Sequence, residues 1–386
     1  MGIVVDPWHS RRVSNALEDL LGGHVEAGTI PGAVAMLGSG PAVGVVAVGV
    51  ANGHGNAMRE DAIVRIQSMS KPITSVAALR LVEAGRIGLD QSIEEWLPEL
   101  ADRRVLSNPT AALDDTVPAQ RPITLRHLLT NGSGYGMALV QSALQRAMAD
   151  NGTEAGADPP ALGADEWLGR LADLPLAFQP GEGWRYHHSF SVLGILLARL
   201  TGRPLDEHLA DDVFGPLGMT DTSLWVPADK LDRLPAAYRH GDDGLVETEA
   251  AGGGFYAGPP PFDVSHGELV STAQDYYRFA SMLADEGRVD GHPFITADHL
   301  GQMTSDQVPT ASKTEDSFFP GFWTDTGWGF GVAVSTGGPQ RGRYGWSGGQ
   351  GTNFFVDPDG TIGILLTQVE LGPQVFPLVE SFQALH

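Results

Sequence analysis

The chain has 386 residues, 42% hydrophobic and 18% charged, which is enough apolar content for a sizeable core and argues against disorder. With 24 basic and 47 acidic residues, its formal net charge is −23, which argues against binding to nucleic acids or anionic membranes. The absence of cysteine excludes disulfides, thiol catalysis and cysteine-ligated zinc.

The sequence also carries an expectation about location. Residues 1–9 lack the basic and apolar regions of a secretory signal peptide. No stretch approaches the ~18–20 consecutive apolar residues that span a bilayer. We therefore expect a cytoplasmic protein that makes no contact with membranes.

The first third of the chain combines apolar runs of helical spacing with short strand-like runs rich in alanine and valine. Gly85 is a helix stop signal, and Thr124 is the expected N-cap of a short helix. Helices are predicted over 11–28, 69–84 and 123–131, and buried strands over 33–38 and 43–50.

The remaining elements change in character along the chain. The predicted helices are 137–149, 165–174, 189–201 and 270–286, with an exposed loop over 150–164. Residues 235–268 are rich in glycine and proline without a clear period, and so long an irregular stretch is often functional. The C-terminal part predicts strands over 328–336, 344–356 and 361–368, a hairpin turn over 357–360 and a closing helix over 374–384.

Strands therefore lie near both ends of the chain, with helices between them. The economical arrangement is an α/β protein of the α+β type, with one central antiparallel sheet built from both ends, helices covering it, and a mainly helical region inserted in the middle. We expect a single catalytic domain over 1–386. Its sheet-containing lobe is predicted over about 1–88 and 270–386, and its helical lobe over about 89–269.

Ser68 and Lys71 form a Ser-x-x-Lys motif at the start of an apolar helical run. Residues three apart share one helix face, so the hydroxyl and the amine can point into one cleft. A serine needs a nearby base to act as a nucleophile, and burial favours the neutral amine that can serve as one. The chain has only three lysines, Lys71, Lys230 and Lys313, and a cation is otherwise disfavoured at a helix N-terminus.

A second serine lies in a competing motif. Residues 345–349 read Gly-Trp-Ser-Gly-Gly, which matches the Gly-x-Ser-x-Gly nucleophile elbow centred on Ser347. That elbow needs a strand, a sharp turn and then a helix, whereas residues 352–357 are strand-like. We therefore predict that Ser347 is not the nucleophile.

Several motifs occur in an order that resembles the serine β-lactamase and penicillin-binding-protein superfamily. The resemblance runs from about residue 30 to about 368, and it is strongest to the class C β-lactamase-like esterases, the family VIII carboxylesterases. The matching stretches are 67–72 (Gln-Ser-Met-Ser-Lys-Pro), 123–134 (Ile-Thr-Leu-Arg-His-Leu-Leu-Thr-Asn-Gly-Ser-Gly), 180–186 (Pro-Gly-Glu-Gly-Trp-Arg-Tyr), 216–219 (Pro-Leu-Gly-Met) and 345–349.

The resemblance implies a role for each matching residue. Ser68 matches the acylated nucleophile, Lys71 its partner base, and Tyr186 the family tyrosine, which shares proton transfer as a phenolate or as a hydrogen-bonded phenol. The backbone N–H groups of Ser68 and Gly349 match the oxyanion hole. Residues 346–348 match a third motif on the strand that lines the cleft, so Trp346, Ser347 and Gly348 are expected to contact substrate. No cofactor or metal is implied.

Two positions depart from the β-lactamase pattern. Trp346 replaces the lysine of the Lys-Thr-Gly motif, which removes the ion pair to a β-lactam carboxylate and favours neutral or apolar esters. His188 replaces the usual asparagine two residues after the tyrosine. His188 could hydrogen-bond Lys71 or an acyl carbonyl, modulate the ionisation of the tyrosine, or be a packed polar residue. Adjacent His187 and His188 side chains usually point apart, so we expect no metal there.

The leading hypothesis is a serine hydrolase that cleaves small-molecule carboxylic esters with short or medium acyl groups. Hydrolysis of β-lactams, D-Ala-D-Ala peptides or other amides, and transfer of the acyl group to an alcohol or amine, use the same acyl-enzyme and remain open. A non-catalytic ligand-binding relative is disfavoured because Ser68, Lys71 and Tyr186 are all present. The oligomeric state is not predicted.

Overall fold

The computed structural model describes residues 7–40, 42–137, 141–155, 161–260 and 269–386. The helices are α1 (Pro7–Glu26), α2 (Ser70–Glu83), α3 (Leu125–Leu129), α4 (Ala143–Asn151), α5 (Ala164–Ala172), α6 (His188–Thr201), α7 (Leu205–Leu209), α8 (Gly215–Leu217), α9 (Ala273–Ala284), α10 (Ala297–Met303) and α11 (Phe376–Gln383).

The strands of the described ranges are short, from two residues in β3 to seven in β1. They are β1 (Gly32–Gly38), β2 (Gly44–Gly49), β3 (Val64–Arg65), β4 (Arg104–Leu106), β5 (Thr116–Pro118), β6 (Ala237–Gly241), β7 (Gly244–Glu249), β8 (Val270–Ser271), β9 (Arg288–Val289), β10 (His292–Pro293), β11 (Thr326–Trp328), β12 (Ala333–Ser335), β13 (Tyr344–Gly348), β14 (Thr352–Val356) and β15 (Ile362–Leu366).

The main sheet has seven strands in the order β11-β12-β13-β14-β15-β1-β2. Neighbouring strands are antiparallel throughout, and β1 pairs with β15 in a register that places Val34 opposite Leu366. The sheet thus joins the first strands of the chain to the last ones. This confirms the predicted central antiparallel sheet built from both chain ends.

Helices cover both faces of this sheet, which explains why every residue of β1 is buried. Successive side chains of a strand point to opposite faces. Ala33 and Ala35 pack in one apolar cluster with α1 and α11, whereas Val34 and Met36 belong to a larger cluster that includes α2 and α9. The two faces of the sheet are therefore distinct environments, and the larger cluster continues into the helical part of the chain.

The helical part is organised around α6. Ten consecutive residues of α6, from His188 to Leu197, are buried, and the helix packs against α2 and α3. This is the inserted mainly helical region that the sequence predicts. The boundaries of the two lobes, about 1–88 with 270–386 and about 89–269, stay a prediction.

Two predicted C-terminal strands are broken by turns. The predicted strand 344–356 is wrong as one element, because β13 and β14 form a hairpin in which Gly351 has a φ of +68°. The predicted strand 328–336 is also two strands, with Gly331 at a φ of +77° between them. Glycine adopts this backbone conformation without the steric cost that other residues meet.

Other boundaries also differ from the predictions. The interval 235–268 is not irregular throughout, because β6 and β7 form a hairpin within it; residues 261–268 lie outside the described residues. The helix predicted over 137–149 begins only at Ala143, and 138–140 also lie outside them. Among the helices of the described ranges, none combines the length and the hydropathy that crossing a bilayer requires.

Candidate active site

Ser68 lies in a 3-10 turn, Gln67–Met69, that leads directly into α2. Gln67 has a φ of +50°, which residues other than glycine rarely adopt. The turn is held from two sides: the Ser70 hydroxyl donates to the Gln67 carbonyl at 2.6 Å, and the Tyr276 hydroxyl donates to the Met69 carbonyl at 2.8 Å. Strained backbone that its surroundings hold in place is concentrated at functional sites.

Lys71 lies one helical turn after Ser68 and is completely buried. Its Nζ is 2.9 Å from the Ser68 Oγ and 4.6 Å from the centre of the Tyr186 ring. The predicted pairing of the hydroxyl with the amine is therefore present. Ser68 itself is partly exposed, so a substrate can reach it.

Tyr186 comes from the helical part of the chain, just before α6. Its segment is fixed by backbone hydrogen bonds from Arg185 N to Asn131 O (3.0 Å) and from Gly181 N to Gly132 O (2.8 Å). The Tyr186 hydroxyl is hydrogen-bonded to the Ser68 side chain and accepts a bond of 2.6 Å from Trp346 Nε1. The structure thus brings Ser68, Lys71, Tyr186 and Trp346 together.

Burial determines the state of the Tyr186 phenol. It raises the pKa of Tyr186 well above its ordinary value, and the hydrogen bonds with Ser68 and Trp346 only partly oppose this effect. The phenol therefore keeps its proton at neutral pH. Of the two states that the sequence left open, this favours the hydrogen-bonded phenol over the phenolate.

Strand β13 carries the third motif along the Ser68 turn. A Cβ on Gly348 would lie 2.2 Å from the carbonyl oxygen of Ile66, so this close approach requires glycine. The Thr352 hydroxyl of the next strand donates to the same carbonyl at 3.1 Å. Because side chains alternate along a strand, Trp346 and Gly348 share the face that meets the Ser68 turn.

Ser347 lies on the opposite face of β13. Its partner across the hairpin is Asn353, whose Nδ2 donates to the Ser347 Oγ at 2.9 Å. Asn353 shares a face with Phe355, which packs in the cluster of α1 and α11. Contrary to the expected substrate contact, the structure does not bring the Ser347 hydroxyl into the Ser68 cleft, because strand alternation turns it away.

The two backbone amides expected to form an oxyanion hole lie close to the contact between β13 and the Ser68 turn. Ser68 N–H belongs to the first turn of a helix, where backbone donors have no partner within the helix. Gly349 follows β13 directly and is exposed, and no backbone acceptor for its N–H is found among the described residues. Its carbonyl accepts from Leu371 N at 2.8 Å, which fixes the orientation of the peptide.

His188 is packed in the helical region. It is 1% exposed, its Nε2 is 2.7 Å from the Thr153 carbonyl oxygen, and its ring stacks on Trp167 with centroids 6.1 Å apart. Of the roles considered for His188, these contacts favour that of a packed polar residue. The preceding residue, His187, has a φ of +94° at the start of α6, next to Tyr186.

Sequence reasoning missed the groups that support the Tyr186 segment. His127 accepts from Thr124 N through its Nδ1 at 3.2 Å and lies against Gly181, where a Cβ would be 2.8 Å from its Nε2. Asn131 is fully buried with a φ of +57°, and its side-chain amide has no hydrogen-bond partner within the described residues. The Asn-Gly pair at 131–132 is the signal that predicts such a turn.

An aromatic cluster surrounds Tyr186 and Trp346. Trp184, Trp328 and Phe318 form its buried part, and Phe322 and Trp323 continue it toward the surface. The Trp323 Nε1 donates a hydrogen bond to the Ser317 Oγ at 2.7 Å. The surroundings of the Tyr186 and Trp346 contact are thus aromatic.

Within the described ranges, one group of side chains is spaced to hold a metal ion: Asp357, Asp359 and His386. It lies at the β14–β15 turn, at the end of the β13–β14 hairpin remote from Gly348. Asp357 already forms a bidentate ion pair with Arg343, with both N–O distances at 2.7 Å. This group therefore lies away from Ser68 and is not part of the cluster around it.

The fold and the cluster around Ser68 together define a class of protein. In this class an antiparallel sheet and a helical region meet at a turn that carries a Ser-x-x-Lys motif. The sequence model of the Beta-lactamase family matches residues 17–377 of this chain, so the chain belongs to that family.

Individual relatives agree with the family. Protein Rv1367c of Mycobacterium tuberculosis is 34% identical over 82% of this chain and 80% of its own length. Esterase EstB of Burkholderia gladioli is 32% identical over 81% of this chain and 78% of its own length. The solved structure of EstCE1, described as a hydrolase with promiscuous acyltransferase activity, is 25% identical, covers 96% of this chain and 97% of its own, and superposes with a TM-score of 0.78.

These comparisons confirm the β-lactamase-like fold and the resemblance to the family VIII esterases. The protein is a serine hydrolase, and its relatives support acyl chemistry by hydrolysis or by transfer.

Proposed function

We propose that this protein is a carboxylesterase that cleaves neutral, apolar esters through an acyl-enzyme on Ser68. The observation that carries the proposal is the meeting of three side chains at one point: Lys71 Nζ at 2.9 Å from the Ser68 Oγ, and the Tyr186 hydroxyl bonded to the same Ser68 side chain. A nucleophile within hydrogen-bond reach of a base, itself positioned by its surroundings, is the arrangement that covalent catalysis needs.

The two steps follow from this arrangement. Lys71, kept neutral in its buried position, accepts the proton of Ser68 as the Oγ attacks the ester carbonyl. The amides of Ser68 and Gly349 bind the oxyanion. The alcohol leaves with a proton, and water then hydrolyses the acyl-enzyme through the same groups acting in reverse.

The preference for apolar esters rests on what surrounds Ser68. Trp346 stands where a β-lactamase would have a lysine, so a substrate carboxylate would lose its cationic partner there. The rings of Trp346, Phe322 and Phe318 follow one another with centroid separations of 6.0 and 4.9 Å, and Phe319 next to Phe318 is 54% exposed. Such a surface gains free energy by covering an apolar acyl or alcohol group.

Acyl transfer is the second candidate, because EstCE1 is described as a hydrolase with promiscuous acyltransferase activity. Both reactions share the Ser68 acyl-enzyme and differ only in whether water or another nucleophile accepts the acyl group. The acceptor is therefore decided after the first step.

The test is the mass of the intact protein after brief exposure to 4-nitrophenyl butyrate, to a phosphonate inhibitor and to nitrocefin. We expect a phosphonyl adduct and rapid ester turnover in the wild type, and neither in Ser68→Ala. Adduct formation on Ser68→Ala would contradict the proposal. Turnover of nitrocefin with little ester hydrolysis would indicate a β-lactamase, and a butyryl adduct that persists until an alcohol is added would indicate a transferase.

A further inference from the structure

Trp346 is hydrogen-bonded to the catalytic cluster as well as packed beside it. Its Nε1 is 2.6 Å from the Tyr186 hydroxyl oxygen. An indole N–H is a donor only, whereas a phenol has one proton to donate and lone pairs to accept with. The Tyr186 oxygen therefore accepts from Trp346, and its own proton must point to another acceptor.

The Ser68 Oγ can accept this proton, because the Tyr186 and Ser68 side chains are hydrogen-bonded. The Ser68 proton in turn has Lys71 Nζ within 2.9 Å. With Lys71 as the neutral amine that the proposed function requires, each proton in this line has an acceptor when the bonds run from Trp346 to Tyr186, from Tyr186 to Ser68, and from Ser68 to Lys71. The Trp346 donor at one end and the neutral Lys71 acceptor at the other thus set the direction of all three hydrogen bonds.

We propose that the Trp346 indole N–H is a positioning group for proton transfer, which commits Lys71 to being the base for Ser68 and Tyr186 to being the acid for the leaving alcohol. This role rests on the proposed ester cleavage and adds to it. The sequence placed Trp346 in the site only as an aromatic wall that favours apolar substrates.

The protons balance over the acylation step. As the Ser68 Oγ forms its bond to the acyl carbon, its proton moves to Lys71 Nζ. As the bond from that carbon to the alkoxy oxygen breaks, the Tyr186 proton moves to the departing oxygen. The Lys71 ammonium then returns a proton to the Tyr186 oxygen. The negative charge that forms briefly on Tyr186 is stabilised by the Trp346 N–H.

The packing around Trp346 keeps the indole aimed at Tyr186. Trp328 meets it edge-on with ring centroids 4.6 Å apart, and Phe322 meets it edge-on at 6.0 Å. On the backbone, Trp346 is paired with Phe354 in the β13–β14 hairpin. The indole is therefore held by two aromatic neighbours and by its strand, and the N–H direction is fixed before substrate arrives.

The chain offers a matched control for the loss of an indole N–H. Trp328 is fully buried, packs on both Trp346 and Tyr186, and its Nε1 has no hydrogen-bond partner among the described residues. Replacing Trp328 by Phe therefore removes a ring and an N–H from the same cluster without removing a hydrogen bond to Tyr186.

The experiment compares two esters that give the same butyryl-enzyme. Ethyl butyrate releases a strongly basic alkoxide that needs a proton, whereas 4-nitrophenyl butyrate releases a phenolate that leaves without one. We measure kcat/KM, which reports acylation, for the wild type, Trp346→Phe, Trp328→Phe and a variant with 3-benzothienylalanine at position 346, which keeps the ring shape and lacks the N–H.

Trp346→Phe and the benzothienyl variant are expected to lose roughly 10- to 100-fold in kcat/KM on ethyl butyrate and less than about threefold on 4-nitrophenyl butyrate. Any loss in Trp328→Phe is expected to be the same for both esters. Equal losses on the two esters in the benzothienyl variant would overturn the role of the N–H. The proposed function fails separately, if Ser68→Ala retains hydrolysis of 4-nitrophenyl butyrate.

Discussion

Ser68 and Ser347 lie on two elements in direct contact, the turn before α2 and strand β13, yet their environments differ completely. Ser68 is within 2.9 Å of a buried lysine and is bonded to a buried tyrosine. Ser347 points to the other face of the sheet and accepts a hydrogen bond from the neutral amide of Asn353. Only the first environment contains a group that can take a proton from the hydroxyl.

The comparison shows that the sequence motif around a serine does not by itself make that serine a nucleophile. Ser347 has the Gly-x-Ser-x-Gly pattern, but β14 follows it where an elbow needs a helix. Ser68 has the less specific Ser-x-x-Lys pattern, but a strained turn and a helix N-terminus present it beside Lys71. What matters is which elements surround the hydroxyl.

The largest expected effect separates the two serines directly. Ser68→Ala should lower kcat/KM for 4-nitrophenyl butyrate by at least about 1,000-fold, because the nucleophile is lost. Ser347→Ala should cost less than about fivefold, because it removes one neutral hydrogen bond on the far face of the sheet. Steady-state kinetics of the two purified variants, with circular dichroism as the control for folding, decide between them. The reverse ranking would restore the elbow as the site.

A smaller effect is expected where the two regions touch. In Gly348→Ala the new Cβ would meet the Ile66 carbonyl oxygen and the Thr352 hydroxyl, each at 2.2 Å. Strand and turn must move apart, so we expect the free energy of unfolding to fall by about 3 kcal/mol and kcat/KM to fall more than about tenfold.

Gly349→Ala is the matched control for this substitution. Its Cβ would be 3.3 Å from the end of the flexible Gln67 side chain, and its N–H is retained. Urea denaturation of both variants measures the difference, for which we expect less than about 1 kcal/mol in Gly349→Ala. Equal destabilisation by the two alanines would show that the close contact at Gly348 does not position the Ser68 turn.

The smallest expected effect is acid sensitivity on the Ser68 side of the sheet. Burial lowers the pKa of His127 to about 4, with the nearby Arg121 contributing. Between pH 6.5 and 4 the unfolded chain therefore binds a proton that the folded protein does not, so the free energy of unfolding falls as the pH is lowered through this window. Protonation also removes the acceptor that caps Thr124 N.

His127→Gln keeps a side-chain acceptor at this position without the titration. Relative to this variant, we expect the wild type to lose about 1–2 kcal/mol between pH 7 and 5. Urea midpoints at the two pH values give the comparison. An identical pH dependence in both proteins would assign the acid sensitivity to other groups.

The sequence predicted those parts of the site that follow from local spacing. The three-residue interval from Ser68 to Lys71 places both side chains on one helical turn. The order of strands at both chain ends was enough to predict the central sheet. In each case a short-range rule determines which side chains share a face.

The rest depends on contacts between distant segments. The bond from His188 to the Thr153 carbonyl joins residues 35 apart, and no local pattern indicates it. The Trp346 bond to Tyr186 joins residues 160 apart. The turn at 349–351 between β13 and β14 was not predicted, because the residues on both sides of it favour a strand. In the structure, the φ of +68° at Gly351 shows that the chain reverses there.

The pairing of β1 with β15 has a consequence for how the protein is made. The two strands are separated by more than 300 residues, and β1 lies between β15 and β2 in the sheet. During synthesis, one edge of the β1–β2 hairpin stays uncovered until β15 has left the ribosome. Closing so long a loop is slow, and an uncovered strand edge can pair with another chain. The same interlocking of first and last strands means that removing β15 would expose the edge of β1 and break the continuity of the sheet.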